Sequence, residues 1–297
     1  MQSSIRNFFL LAVGALLLFS MPAYLFLAER PGSESEPVHV LMKYLKATYA
    51  RDYRQAYRLI SSQDRQLKQE DVYVKERGAF SGFTLEAARK LAEFIDARPV
   101  KTDFKDNRAL VKLAFKLPDA NSLSELLLDW DEDRLNALSA SEQKRILASL
   151  DQLKAKNRLA MISGEEEFTM AKENAGWRVY LDWAGGVRVN FAAAVPPQGQ
   201  LDARPTVKET IARAGDLFNI SYRVKNLTSK EISARIVHRV EPKSIAEHLD
   251  LVECALLLPV TILPGEEREY TSTYLLQGDL PDDAKVLHVT YEFKVQG

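Results

Sequence analysis

The sequence predicts an α+β region followed by an all-β region, both behind an N-terminal transmembrane helix. Three observations carry this. Residues 8–27 are an uncharged apolar run of about 20 residues, enough to cross a bilayer as a helix. Residues 38–95 hold apolar side chains mainly at helical spacing. From Val111 onward the spacing shortens repeatedly to two, the period of half-buried strands.

The membrane segment comes first. Arg6 and the α-amine precede the run, and Glu29 and Arg30 follow it. The small charge bias keeps the short end in the cytoplasm and exports the body. A cleaved signal peptide is the competing reading. Its apolar core is ordinarily shorter, and a small-x-small site should follow. Phe26 before Ala28 and Met21 before Ala23 break that pattern, so an uncleaved anchor is the expectation. Residues 1–33 are read as cytoplasmic tip, anchor and tether, with Pro31, Gly32 and Ser33 in the tether. The chain is thereby a single-pass protein of the inner membrane, with its C-terminal body on the periplasmic side.

The rest of the 297 residues suits two modest domains. A net charge of -1 gives no basic surface for nucleic acid. One cysteine, Cys254, excludes an internal disulfide, and the histidines at 39, 238, 248 and 288 lack close zinc-ligand spacing.

Residues 34–185 form the first domain. Val38, Leu41, Met42, Leu45 and Tyr49 predict one helix. Asp52 and Tyr53 interrupt it, and Ala56, Tyr57 and Ile60 open a second, with Asp52 read as its end residue. Leu85, Ala88, Leu91, Phe94 and Ile95 make a third stripe. Val111, Leu113, Phe115 and Leu117 then alternate as a strand. Phe168 and Met170, the turn at Asn174, Ala175 and Gly176, and then Trp177, Val179 and Leu181 read as a hairpin. Between these strands, residues 122–158 read as an inserted helical hairpin, with a capping box at Ser139 and Glu142. The acidic cluster Asp129, Asp131, Glu132 and Asp133 lacks a calcium loop's glycine and distal glutamate, and reads as a solvated helix end.

Residues 186–297 form the second domain. Val187, Val189 and Phe191 alternate; so do Phe218, Ile220, Tyr222 and Val224, then Ile232, Ala234 and Ile236, and finally Leu287, Val289, Tyr291, Phe293 and Val295. Short strands separated by turn signals predict a β-sandwich. A short helical turn is expected over residues 243–247. The sequons at Asn219 and Asn226 are read as chance.

The string Y-L-K-A-T-Y-A-R-D-Y-R-Q-A-Y-R-L-I from Tyr44, and the ending G-W-R-V-Y-L-D-W from Gly176, resemble the nuclear-transport-factor-2-like superfamily. That resemblance implies an α+β cone with a pocket for small ligands. In some members an acid and a tyrosine catalyse isomerisation or dehydration there. Tyr53, Tyr57 and Asp103 are the candidate groups, and Tyr57 on a helix face is equally a core residue.

Residues 240–266 resemble the CtaG family of cytochrome c oxidase assembly proteins. The residues behind this are Pro242, the sole cysteine Cys254, and the turn Leu263, Pro264, Gly265 and Glu266. V-R-V-N-F-A-A-A-V, I-S-Y-R-V-K-N-L-T-S-K-E-I and the closing Val289, Thr290, Tyr291 and Phe293 extend it. The family implies a membrane-anchored, immunoglobulin-like β-sandwich that helps to deliver copper to the oxidase. Its C-F-C-F motif holds two cysteines, and here Leu256 stands in the second place. Cu(I) prefers two or three soft sulfur ligands, and C-x-C on a strand puts both sulfurs on one face. Cys254 is therefore the candidate Cu(I) ligand, with His248 the nearest imidazole in sequence. A homodimer or a partner would supply the second sulfur. Equally, Cys254 reads as a small buried hydrophobe.

The resulting expectation is a non-enzymatic assembly factor for a respiratory oxidase, binding an oxidase subunit or another respiratory assembly protein, with or without copper. The alternative is a small-molecule binding or sensing protein using the middle-domain pocket, with a metal-free scaffold sandwich. An isomerase-like enzyme in the same cone is a third reading.

Overall fold

The computed structural model describes residues 35–196, 199–278, 280–281 and 284–296. The anchor expected over residues 8–27 lies outside them. Among the described residues, no helix is long and apolar enough to cross a membrane.

The chain order is α1 (Ser35–Tyr49), α2 (Tyr53–Arg58), α3 (Ser62–Leu67), α4 (Glu70–Arg77) and α5 (Gly82–Glu93), then β1 (Asp96–Lys105) and β2 (Arg108–Pro118). Helices α6 (Glu132–Asn136) and α7 (Ala140–Ala155) follow, then β3 (Met161–Glu173) and β4 (Gly176–Tyr180). The remainder is β5 (Val187–Ala194), β6 (Leu201–Pro205), β7 (Glu209–Ala212), β8 (Leu217–Asn226), β9 (Ile232–Glu241), α8 (Lys243–Ala246), β10 (Leu249–Cys254), β11 (Val260–Ile262), β12 (Glu267–Leu276) and β13 (Val286–Gln296). These elements gather into two compact units: residues 35–62 with 79–181, and residues 63–78 with 182–296.

The first unit is α+β. Strands β1-β2-β3-β4 form an antiparallel sheet, and α1 and α5 pack on it. Val111, Leu113, Phe115 and Leu117 alternate into the core, as the period of two predicts. Gly164 pairs with Phe115 across β2 and β3, and a Cβ there would meet the Phe115 ring at 2.9 Å, so the glycine makes room for the ring. The hairpin of β3 and β4 closes with Glu173 opposite Gly176. Asp52 caps α2, accepting from the Gln55 N–H at 3.2 Å, and Arg89 donates to it from both Nε and Nη2. The expected helical insertion is present as α6 and α7. Ser139 and Glu142 form the capping box, Asp131 caps α6, and Glu132 accepts from Ser81.

The second unit holds two sheets, ordered β10-β12-β8-β6 and β11-β9-β13-β5-β7, sharing one apolar core. Phe218, Ile220, Tyr222 and Val224 of the first sheet and Val289, Tyr291 and Phe293 of the second all enter that core. Pairing is antiparallel except for β5 with β13, which are parallel and joined by the long excursion through the other strands. Asn226, fully buried, ties two turns: Nδ2 donates to the Lys230 and Ile262 carbonyls, and Oδ1 accepts from Thr228. The turn 263–266 is locked by Glu266, whose carboxylate accepts from the Leu263 N–H at 2.7 Å, while Gly265 takes φ +69°. The Glu241–Pro242 peptide is cis.

The sequence reading divides the chain between residues 185 and 186. The units part at residues 181 and 182, and residues 63–78, carrying most of α3 and all of α4, belong with the sandwich. The attachment is polar and buried. Lys68 Nζ donates to Glu76 Oε1 at 2.5 Å and lies 4.5 Å over the Trp183 ring. Thr210 donates to the other Glu76 oxygen. The Trp183 N–H donates to Asp64 at 2.8 Å, and Arg77 donates to Asp216 at 3.1 Å.

Candidate functional site

The residues singled out for the middle domain do not converge. Tyr57 is buried and Tyr53 half-buried, both on α2, which continues into Ile60 and its bridge to Val179 on β4. Asp103 is exposed on β1, at the opposite edge of the sheet, paired with Lys101 at 2.6 Å. Three strand spacings of about 4.8 Å separate those edges. The sheet's inner face is filled by its own apolar side chains. A hollow of about 150 Å³ lies instead among α1, α2 and α5, beside the Asp52–Arg89 pair.

Cys254 sits where one sheet hands over to the other. Strand β10 is an edge strand, and its register against β12 shifts between Leu251 and Glu253. Leu249 and Leu251 face Leu276 and Tyr274 in phase. Val252 is then an extra residue, so that Cys254 rather than Glu253 stands opposite Ser272. This bulge turns the thiol inward. Cys254 is half-buried and packs on the sandwich core. The strand ends there, and residues 255–258 turn toward β11.

That turn puts position 256 past the end of the strand, though its side chain enters the same core that Cys254 packs against. Leu256 is off the strand; its carbonyl accepts from Ile236 of β9 at 3.4 Å, and its side chain is 1% exposed within the core. His248 lies just before β10, at the far end from Cys254, on the order of 15–20 Å of strand away. It is half-buried, with Glu247 at 3.9 Å. The structure does not bring His248 and Cys254 together. Among the described residues, no group of three or more His, Cys, Asp or Glu is placed to hold a metal ion.

What surrounds the sulfur is a set of hydroxyls. Tyr291 Oη lies 3.8 Å from Cys254 Sγ. Tyr274 donates to Tyr291 at 2.8 Å, and His238 Nε2 lies 2.9 Å from Tyr274 Oη. The Tyr222 ring stacks on Tyr291 with centroids 4.2 Å apart. The three tyrosines are fully buried, which pushes each phenol pKa well above its usual value; burial also lowers the His238 pKa. Ser272, 1% exposed, completes the set, and its hydroxyl has no hydrogen-bond partner of acceptable geometry, although Tyr291 is near enough to feel it.

Sequence reasoning placed Tyr222, Tyr291 and Ile236 in strands, but not Tyr274 of β12, and did not see this cluster. Its signal was the phase: His238, Tyr291, Tyr274, Ser272 and Tyr222 all occupy core-facing positions of their strands. The Val252 bulge, invisible to alternation, adds Cys254 to them.

The family model for the cytochrome c oxidase assembly protein CtaG/Cox11 matches residues 159–295, taking in the β3–β4 hairpin and the sandwich strands. A curated CtaG of Sinorhizobium fredii is 28% identical over 112 residues, covering 36% of this chain and 56% of the relative. CtaG proteins of Sinorhizobium medicae and Brucella anthropi are 25% and 26% identical, over 36% of this chain and 57% and 55% of their own lengths. The chain thus spans a little over half the length of the curated relatives it matches. An Escherichia coli alpha-2-macroglobulin structure aligns over 68% of this chain and 16% of its own, at a TM-score of 0.22 and 11% identity, and carries no argument. The resemblance read from Pro242, Cys254 and the turn at Leu263 thus agrees with the family match: over residues 159–295 the chain is similar to the cytochrome c oxidase assembly protein CtaG/Cox11 family.

Proposed function

We propose that this chain is a non-enzymatic assembly factor for a respiratory cytochrome c oxidase. It is held at the inner membrane by residues 8–27, with its body on the periplasmic side, and acts by binding an immature oxidase subunit. The family match over residues 159–295 is the observation that carries this reading. In it, the two-sheet unit serves as an immunoglobulin-like sandwich, and the helix-covered sheet before it as a nuclear-transport-factor-2-like domain.

Copper is the cargo such a factor would pass on, and the residues of one chain do not fit it. Cu(I) calls for two or three soft ligands. Cys254 offers one sulfur, Leu256 is buried as an apolar core residue, and His248 is at the other end of β10. Copper transfer at Cys254 therefore requires a second sulfur from another molecule, either a second copy or the oxidase subunit.

Two experiments test the reading. Crosslinking the full chain in membranes of its own cell should recover an oxidase subunit; recovery of other proteins without one counts against it. Anaerobic Cu(I) titration of the full chain against a chelator, beside Cys254→Ser, addresses the cargo. About half a copper per chain, lost in the variant, means a shared thiolate site. No cysteine-dependent copper leaves partner binding as the activity.

A further inference from the structure

Strand β1 is one edge of the first unit's sheet, and β2 is its only strand partner among the described residues. An open edge of ten residues is a template for another strand unless something blunts it. Pro99, and the register shift between Pro99 and Lys101, are features that ordinarily blunt an edge. The phase and the charges of β1 nonetheless fit one partner, a second β1.

The phase comes first. Ala97, Pro99, Thr102 and Phe104 stand opposite the buried Phe115, Leu113, Val111 and Ala109, so they lie on the core face of the sheet. Asp96, Arg98, Lys101, Asp103 and Lys105 lie on the outer face, and all five are exposed. The extra residue at Val100 passes the core face from odd to even positions along the strand. Two copies of β1 running antiparallel about a two-fold axis between Val100 and Lys101 therefore match. Ala97 meets Phe104 of the second copy and Pro99 meets its Thr102, core face with core face. Without the extra residue, the same pairing would set core-face side chains against outer-face ones.

The charges follow the same register. On the outer face it sets Asp96 against Lys105 of the second copy and Arg98 against its Asp103, each twice by symmetry. The covered side leaves most of these charges unmatched: across on β2, Arg98 has Ala114, Asp103 has Leu110 and Lys105 has Arg108. Asp103 reaches Lys101 of its own strand at 2.6 Å, and Asp96 alone has an opposite charge, Lys116, across from it. An edge guarded by one sign of charge repels its own copy; this one is complementary to itself. Val100 and Phe104, 51% and 43% exposed, lie along the same edge.

We infer that the β1 edge is an interface for a second copy of this chain, joining two four-stranded sheets into one across a two-fold axis between Val100 and Lys101. Strand β1 lies outside residues 159–295, and the inference is independent of the oxidase reading.

The test is sedimentation of the full chain in detergent micelles over a range of concentrations. A dimer is expected, weakening as salt rises, since exposed ion pairs are screened. Asp96→Lys with Asp103→Lys turns every opposite pair into a like pair, and should raise the dimer dissociation constant at least about a hundredfold. Arg98→Glu with Lys105→Glu should do the same. Mixed together, the two variants should form a heterodimer about as tight as the unsubstituted dimer, which misfolded chains would not give. Disulfide trapping in a Cys254→Ser background checks the register. Val100→Cys, beside the axis, should oxidise to a covalent dimer, whereas Asp96→Cys, about 30 Å from its copy, should not. A monomer at every concentration, a dimer that survives both charge reversals, a mixture that stays monomeric, or trapping at 96 in place of 100 would each overturn the inference.

Discussion

Two buried polar clusters sit in the sandwich unit, and they are built on opposite plans. The Lys68–Glu76–Thr210 cluster is ionic and closed. Both Glu76 oxygens are taken, the Lys68 ammonium rests on the Trp183 ring, and both charged side chains are almost fully buried. The Tyr222, Tyr274 and Tyr291 cluster is neutral and open. It runs between two half-buried ends, His238 and Cys254, and includes a hydroxyl with no partner. A closed ionic cluster fixes a segment in place; an open line of hydroxyls connects two groups that water can reach. The first explains why residues 63–78 belong to the sandwich, and the second links His238 and Cys254 across its core.

The sharpest way to break the contrast is to unpair the closed cluster. Glu76→Gln leaves the Lys68 ammonium buried against a neutral amide. Burial already drives the Lys68 pKa down, opposed by the Glu76 charge. Removing one partner of a buried pair costs about 3–5 kcal/mol. Urea denaturation should register that loss, with proteolysis within residues 63–78 rising in parallel. A drop below about 1 kcal/mol would mean the pair is not what holds the segment. Lys68→Met with Glu76→Leu should recover much of the loss, since a well-packed apolar pair avoids the desolvation.

Tyr274→Phe tests the open line. It removes the donor to Tyr291 and the partner of His238, but no charge. The expected cost is about 1–2 kcal/mol, since His238 is near enough to solvent to rehydrate while Tyr291 is not. A loss as large as that of Glu76→Gln would mean that the two clusters play the same structural part.

The two clusters were also unequally legible in the sequence. Alternation gave the strands that carry Tyr222 and Tyr291, at Phe218 to Val224 and at Leu287 to Val295, because one face of each is buried, but not β12, which carries Tyr274. The capping box at Ser139 and the turn at Glu266 were legible because their partners lie three residues apart. Lys68 and Glu76 were not. On short polar helices they look like solvated charges, and the residues that bury them, Trp183 and Thr210, lie more than 100 residues away. The Cys254 site was half legible. Its residue type stood out, but its direction depends on one extra residue in β10. Position 256 lies past the end of the strand at 254, and Leu256 packs in the same core that Cys254 packs against.

Acid should separate the clusters further. Burial lowers the folded-state pKa of His238 below its unfolded value of 6.5. Between those two values the unfolded chain binds the extra proton, so stability rises with pH there. The contribution is complete above about pH 6.5 and is lost as pH falls through the folded pKa beneath it. His238→Gln should flatten the pH dependence of the urea midpoint below pH 6.5. An unchanged slope in that variant would assign the acid sensitivity to other groups.

The smallest effect should come from Ser272→Ala, and its smallness is informative. Deleting a buried hydroxyl usually costs stability because a partner is left behind unpaired. Here the hydroxyl has no partner to strand, so alanine removes an unsatisfied polar atom from a core position 1% exposed. The expected change is within about 0.5 kcal/mol, and toward greater stability. Such a result would show that the hydroxyl opposite Cys254 contributes nothing to holding the sandwich together. A loss above about 1 kcal/mol would instead mean that Ser272 is hydrogen-bonded in solution, with Tyr291 the group in position to receive it. The line of hydroxyls would then be closed at the cysteine end as the ionic cluster is, and the contrast between the two would disappear.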